Sequence, residues 1–379
     1  MSAKKASWKA RLGMVFLSLA FTLAAAELGL RMIGYKSPHV VTPADRGQCR
    51  MAPNNEFVYR GYLDGMFSDY ATPVKLNSLG FNDVEHSAGR AMTNTFRLMV
   101  IGDSYVAALS CPLETTFFRC LEERLNREDP LGRGSYEVIA FGQGNQAQEK
   151  EARYVRQFGP VYKPDAVLLL FFCGNDFMEN SPETFRAAAG FATMYMRTVA
   201  PKKLALFDKL FKLRWLRLNG LVAEAVTTFY ADNLHLFAGE LKKDDLVSPE
   251  LGVYRVPLAP EWERAYARTA GLLARLKTEV GTLGVPLLIA GLSGPQAIGD
   301  VGQRQAAQDG GAGFDPSQPA RWLAGWCETN DVPFCDLGPA LAAAGKRRAF
   351  WPHDGHLNPF GNKVIVEPIL KLVVGQARK

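Results

Sequence analysis

Two short segments far apart in the chain hold residue types that could share one reaction. Gly102-Asp103-Ser104 follows an apolar run, and Asp354-Gly355-His356 places a carboxylate two residues before an imidazole near the other end. A serine hydroxyl is a weak nucleophile until a base takes its proton, and that base needs a third group to fix its tautomer. Ser104, His356 and Asp354 meet those three demands. A lone Gly-Asp-Ser is more often a turn, and a lone histidine more often bonds only its neighbours. Their occurrence in one chain points to acyl transfer through serine. His353 precedes Asp354 and has no partner by spacing, and His39, His86 and His235 stand in no motif.

Such a reaction also needs hydrogen-bond donors for the charge that develops on the carbonyl oxygen. The Ser104 N–H is one candidate, the Gly144 N–H in Gly142-Gln143-Gly144 a second, and the Asn175 side-chain amide in Gly174-Asn175-Asp176 a third. The bland reading of Asn175-Asp176 is a polar turn capping a helix, and that of Gly142-Gln143-Gly144 a tight turn needing positive φ.

Those turns end apolar runs. Phe96–Ile101, Tyr136–Phe141, Ala166–Phe172, Val285–Leu292 and Val332–Leu337 read as strands. Helical patterns lie between them, with Phe117, Leu121 and Leu125 on one face, then Trp262, Tyr266, Leu273, Leu276 and Val280 on another. Strands that are apolar throughout and alternate with helices predict a parallel sheet covered on both faces, an α/β three-layer αβα sandwich with five strands. Ligands of open parallel sheets bind at the carboxyl ends of the strands, where these turns fall. Asn358 and Pro359 suit the N-cap and first position of a helix that would hold the His356 loop.

The alternation is interrupted at 178–258, a predicted helical insertion. Pro201–Asn219 mixes Leu, Phe and Trp with Lys and Arg. It reads either as a lid, or a helix lying on the anionic membrane surface, or as a helical insertion packed on the domain with its charges in water, and the last is preferred. Residues 36–95 read as an irregular lead-in, and 96–379 as the domain.

The formal charge of +6 is concentrated at the start of the chain. Lys4, Lys5, Lys9, Arg11, Arg31 and Lys36 against Glu27 leave the rest almost neutral, which argues against a nucleic-acid partner. Within residues 1–35 this basic start precedes an uncharged run, Leu12–Ala26. The small residues Ala24 and Ala26 allow cleavage before Glu27. The preferred reading continues the helix through Leu28, Leu30, Met32 and Ile33, as a single-pass anchor over 12–33 with Glu27 and Arg31 paired near its end. The basic flank then stays in the cytoplasm and the domain lies on the far, periplasmic side of a bacterial inner membrane. Six cysteines fit no metal spacing. In an exported protein Cys327 and Cys335 are the first pair to test for a disulfide, while Cys120 and Cys173 read as small buried apolar residues.

The four turns resemble blocks I, II, III and V of the SGNH (GDSL-type) hydrolases, in family order over residues 96–370. Asn77-Ser78-Leu79-Gly80-Phe81 and the apolar N-terminus are similar to the membrane-anchored bacterial members. Tyr105 stands where the GDSL form has Leu, the acid and base are spaced D-x-H instead of D-x-x-H, and the block II turn is one residue short. The resemblance implies a flavodoxin-like fold, and hydrolysis or transfer of an ester acyl group with no metal or cofactor. It assigns Ser104, His356 and Asp354 to catalysis, and Ser104, Gly144 and Asn175 to the oxyanion hole. The expected function is a serine esterase acting on a short O-acyl ester of an envelope carbohydrate, a lipid or a small molecule. An O-acyltransferase modifying an exported polysaccharide would use the same residues. A non-catalytic envelope assembly protein is the competitor of another class, and intact Ser104, Asn175 and His356 argue against it.

Overall fold

The computed structural model describes residues 7–34, 51, 53–60, 69–89, 94–144, 147–187, 218, 221, 249–295, 297–298, 313–352 and 354–378. Most of the expected insertion at 178–258, including all of Pro201–Asn219 except Leu218, lies outside them, as do His39, His235 and His353.

The N-terminal helix α1 (Trp8–Met32) runs unbroken past Ala26. Its segment Arg11–Met32 has a mean hydropathy of 1.8 and is long and apolar enough to cross a membrane. Arg31 donates to Glu27 at 2.7 Å, so the two charges near its end are paired.

The central sheet is built from β3 (Phe96–Gly102), β4 (Tyr136–Gly142), β5 (Ala166–Phe172), β7 (Leu287–Leu292) and β9 (Phe334–Asp336), all parallel, in the order β4-β3-β5-β7-β9. Its helices are α2 (Ser104–Ala107), α3 (Phe117–Glu128), α4 (Gln148–Tyr162), α5 (Asp176–Asn180), α6 (Pro260–Gly281), α7 (Gln318–Thr329), α8 (Gly338–Ala344), α9 (Lys346–Ala349), α10 (Pro359–Val364) and α11 (Val366–Ala377). The chain builds outward from β3 to β4 and then returns past β3 to β5. That reversal is the topological switch point at which flavodoxin-like sheets bind their ligands.

Side chains alternate across a strand, and the two faces feed two cores. Met99, Ile101, Val167 and Leu169 pack with Val155, Phe158, Leu273, Leu276 and Leu323, from α4, α6 and α7. Leu98, Val100, Leu168 and Leu170 pack with Phe117, Leu121, Ile369 and Val373, from α3 and α11. At roughly 25 cal/mol per Å² these apolar faces are the main force holding the sheet and its loops in register.

Two strands are shorter than the expected Val285–Leu292 and Val332–Leu337. Pro286 and Pro333 lack an N–H for the ladder, and each immediately precedes a strand or its first turn, offering only a carbonyl to Val167 and Ile289 at 3.0 and 2.9 Å.

The same pleat corrects the disulfide expectation. Cys327 belongs to one core and Cys335 packs against the other, on the opposite face of the sheet. Both are free thiols, as are Cys111, Cys120 and Cys173.

Among the described residues of 36–95 there is regular structure. Strands β1 (Glu56–Arg60) and β2 (Ala71–Lys75) form an antiparallel hairpin. Beyond it Leu76 and Phe81 are buried, with Phe81 edge-on to Phe141 and Tyr154 at 5.2 and 5.4 Å. Asn82 donates to the Ala107 carbonyl at 2.9 Å, and Asp83 accepts from the Ala140 N–H at 2.8 Å. A second small ribbon pairs β6 (Arg255–Val256) with β8 (Gly313–Phe314).

Candidate active site

Strand β3 delivers Ser104. A Cβ on Gly102 would lie 2.5 Å from Val106 Cγ2 and 3.0 Å from the Leu170 carbonyl, so only glycine lets α2 fold back against the strand end. The buried Asp103 caps that short helix, accepting from the Tyr105 N–H at 2.9 Å. Burial pushes its carboxyl up to about 6, against the pull of hydrogen bonds from Tyr105 and Ser104 and of the His356 charge.

The C-terminal loop brings the other two residues to Ser104. His356 Nε2 is 2.8 Å from Ser104 Oγ, and His356 Nδ1 is 2.8 Å from Asp354 Oδ2. A carboxylate only accepts, so Nδ1 carries the proton and Nε2 is left to accept from the serine hydroxyl. The loop has its own supports. The Asn358 side chain accepts from the Gly361 N–H at 2.9 Å, capping α10, and the Trp351 N–H donates to the His356 carbonyl at 2.8 Å. Gly355 has φ +78°, a conformation that side chains with Cβ resist. The Tyr105 hydroxyl donates to the Gly355 carbonyl at 3.0 Å, and its ring lies 4.8 Å from the imidazole. Position 105 therefore braces the histidine loop. Burial lowers the imidazole pKa, but the hydrogen bond and charge of Asp354, with the charge of Asp103, more than offset it and raise it above the usual 6.5.

Two further side chains at the site carry no local sequence signal. The Tyr70 hydroxyl donates to Asp354 Oδ2 at 2.9 Å, and the Asp354 N–H donates to Asp69 Oδ2 at 2.9 Å. Both come from the edge of the β1–β2 hairpin, 284 and 285 residues before their partner.

Gly144, Gly142 and Asn175 stand differently. A Cβ on Gly144 would lie 3.8 Å from Ser104 Cβ, so the Gly144 backbone passes directly beside the serine. A Cβ on Gly142 would lie 2.1 Å from the Ala107 nitrogen, which explains that glycine by packing against α2. The Asn175 amide donates to Glu179 Oε1 at 3.0 Å. An amide has two hydrogens, so this bond fixes the group while one hydrogen is left for other use. The turn is anchored from below by Asp176, fully buried, which accepts from Gln148 at 2.8 Å and from the Phe172 N–H at 3.2 Å. Burial and the neighbouring Asp103 charge push the Asp176 carboxyl well above its ordinary range.

No protein-family model matches the sequence, and no curated protein does either. Among solved structures, TesA overlaps 73% of this chain and 97% of its own, at 14% identity and a TM-score of 0.39. The acetyl xylan esterase AlAXEase overlaps 73% of this chain and 100% of its own, at 14% identity and a TM-score of 0.39. A catalytic mutant of Axe2, an acetylxylan esterase from Geobacillus stearothermophilus, overlaps 76% and 96%, at 11% identity and a TM-score of 0.40. At these TM-scores the functional assignment is carried by the geometry of Ser104, His356 and Asp354.

Proposed function

We propose that the protein is a serine esterase that cleaves an O-acyl ester through an acyl-Ser104 intermediate. The observation that supports this is the unbroken chain from Asp354 Oδ2 through His356 to Ser104 Oγ, two bonds of 2.8 Å each, at the switch point of the sheet. In this reading Ser104 Oγ attacks the ester carbonyl while His356 Nε2 takes its proton, and Asp354 stabilises the imidazolium. The oxyanion is met by the Ser104 and Gly144 N–H groups and the Asn175 amide. The C–O bond to the alcohol then breaks, and His356 returns the proton to the leaving alkoxide. Water attacks the acyl-serine, losing its proton to His356, and Ser104 leaves with that proton.

The purified protein is expected to hydrolyse p-nitrophenyl acetate and to be labelled once by a fluorophosphonate. Its kcat/KM should rise from acid to neutral pH with a midpoint above 6.5, because only the neutral imidazole accepts a proton and its pKa is raised. A flat profile with intact turnover would remove His356 from the role of base.

The substrate class we favour is a short acyl group on envelope carbohydrate or lipid, with the domain tethered by α1 on the periplasmic face of the inner membrane. This is supported by the apolar Arg11–Met32 span behind a basic flank. Fractionation should recover full-length protein only after detergent extraction. A soluble form starting at Glu27 would exclude the anchor.

A further inference from the structure

Asp354 has hydrogen-bond partners on three sides. The imidazole takes Oδ2 from one side and the Tyr70 hydroxyl takes the same oxygen from another, while Asp69 accepts from the backbone N–H. Tyr70 is itself held: it is 8% exposed, stacks on Tyr59 at 5.9 Å, and lies 5.4 Å from the ring of Trp351 in the histidine loop. The hairpin strand that follows it is fixed to the domain by Thr72, which donates to the Ser110 carbonyl at 3.0 Å.

We propose that Tyr70 is a positioning residue for the Asp354–His356 pair, holding the carboxylate in the plane the imidazole needs and drawing off part of its charge. The proposal rests on the reading of Ser104, His356 and Asp354 as a catalytic triad, and it makes the N-terminal hairpin part of the site. Burial, then the Asp354 charge, push the Tyr70 phenol far above its ordinary range, so it remains a donor at every working pH. The carboxylate accepts this O–H and so offers less negative charge to His356. Removing the donor should strengthen the imidazole as a base while loosening its geometry, two effects that a merely structural residue would not produce together.

The other groups facing the pair do not mask this. Asp103 and Tyr105 face the imidazole, and Asp69, Tyr105 and Cys111 lie about Asp354. Burial raises the Tyr105 phenol well above its usual range and the Cys111 thiol to about 11, so both stay neutral. Asp103, raised to about 6, faces the imidazole in the parent and the variant alike, and the difference between the two isolates Tyr70.

The test is Tyr70→Phe, which keeps the ring and its stacking, measured in the full chain by two readouts. NMR titration of His356 should show its proton affinity raised about three- to tenfold, and kcat should fall about tenfold with KM within about twofold, as expected for the typical net worth of one hydrogen bond. The acid limb of kcat/KM should move to higher pH by the same amount as the NMR titration. If Tyr70→Phe fails to fold, site-specific 3-fluorotyrosine at position 70 replaces it; as a stronger donor of nearly the same size, it should lower the His356 proton affinity. An unchanged His356 titration in either variant overturns the proposal. If the parent protein hydrolyses no ester, the esterase reading fails, and the titration still decides whether Tyr70 controls the Asp354–His356 pair.

Discussion

Ser104→Ala is expected to abolish ester turnover and fluorophosphonate labelling, with a loss in kcat of at least about 10⁴-fold. The variant removes Oγ, the atom 2.8 Å from His356 Nε2 that in the proposed mechanism forms the acyl bond and gives up its proton. What remains are donors and a binding surface, which still accelerate water attack but cannot form the covalent intermediate. His356→Ala should cost about as much, because the serine is then left with a proton that nothing takes. The double variant should be no worse than either single one, since the two residues act as a unit. Stability gives the control. Ser104 loses one hydrogen bond to a partly exposed imidazole, so the folded state should weaken by no more than about 1 kcal/mol. Steady-state hydrolysis of p-nitrophenyl acetate, intact-protein mass after labelling, and thermal unfolding check all three. Normal turnover in Ser104→Ala would sink the mechanism, whatever the fold.

Asn175→Ala should lower kcat by about 10²–10³-fold with little change in KM. The amide is aimed by its bond to Glu179 at 3.0 Å, and its second hydrogen is the one that would meet the oxyanion. The carbonyl oxygen of the bound ester carries little charge and gains it only as Ser104 attacks, so the loss should fall on the chemical step. Comparison of kcat and KM for the parent and the variant separates the cases. An effect on KM alone would return Asn175 to ordinary substrate binding. No effect on either would leave it as the cap of α5, the bland reading of the turn.

The parts of this molecule legible in the sequence are those whose cause is local. β5 is apolar along its length because helices cover both faces, and an unbroken apolar run says so without any tertiary knowledge. Ser104, Asp354 and His356 sit in short motifs at strand and helix ends, where a turn leaves little choice of residue. Arg97, by contrast, is the second residue of the otherwise apolar β3 and is fully buried, because Glu137 pairs with it at 2.5 Å and the Tyr162 carbonyl accepts from it at 2.6 Å. Nothing in Phe96–Ile101 announces those partners. Tyr70 and Asp69 were hidden for the same reason: their role is set by a loop 284 and 285 residues away. The Cys327–Cys335 pairing failed on a point of parity. The two sulfurs are near in sequence but fall on opposite sides of a pleated layer.

The span between Ser104 and its base has a consequence in time. The two residues are separated by 252 positions, and a ribosome adds about 5–20 residues per second. Roughly 10–50 s therefore pass between synthesis of the nucleophile and synthesis of the group that activates it. On the proposed mechanism a nascent chain, or one cut anywhere before residue 354, would lack the base and could not attack the esters around it. Competence is conferred on the whole molecule at once, when its last loop docks.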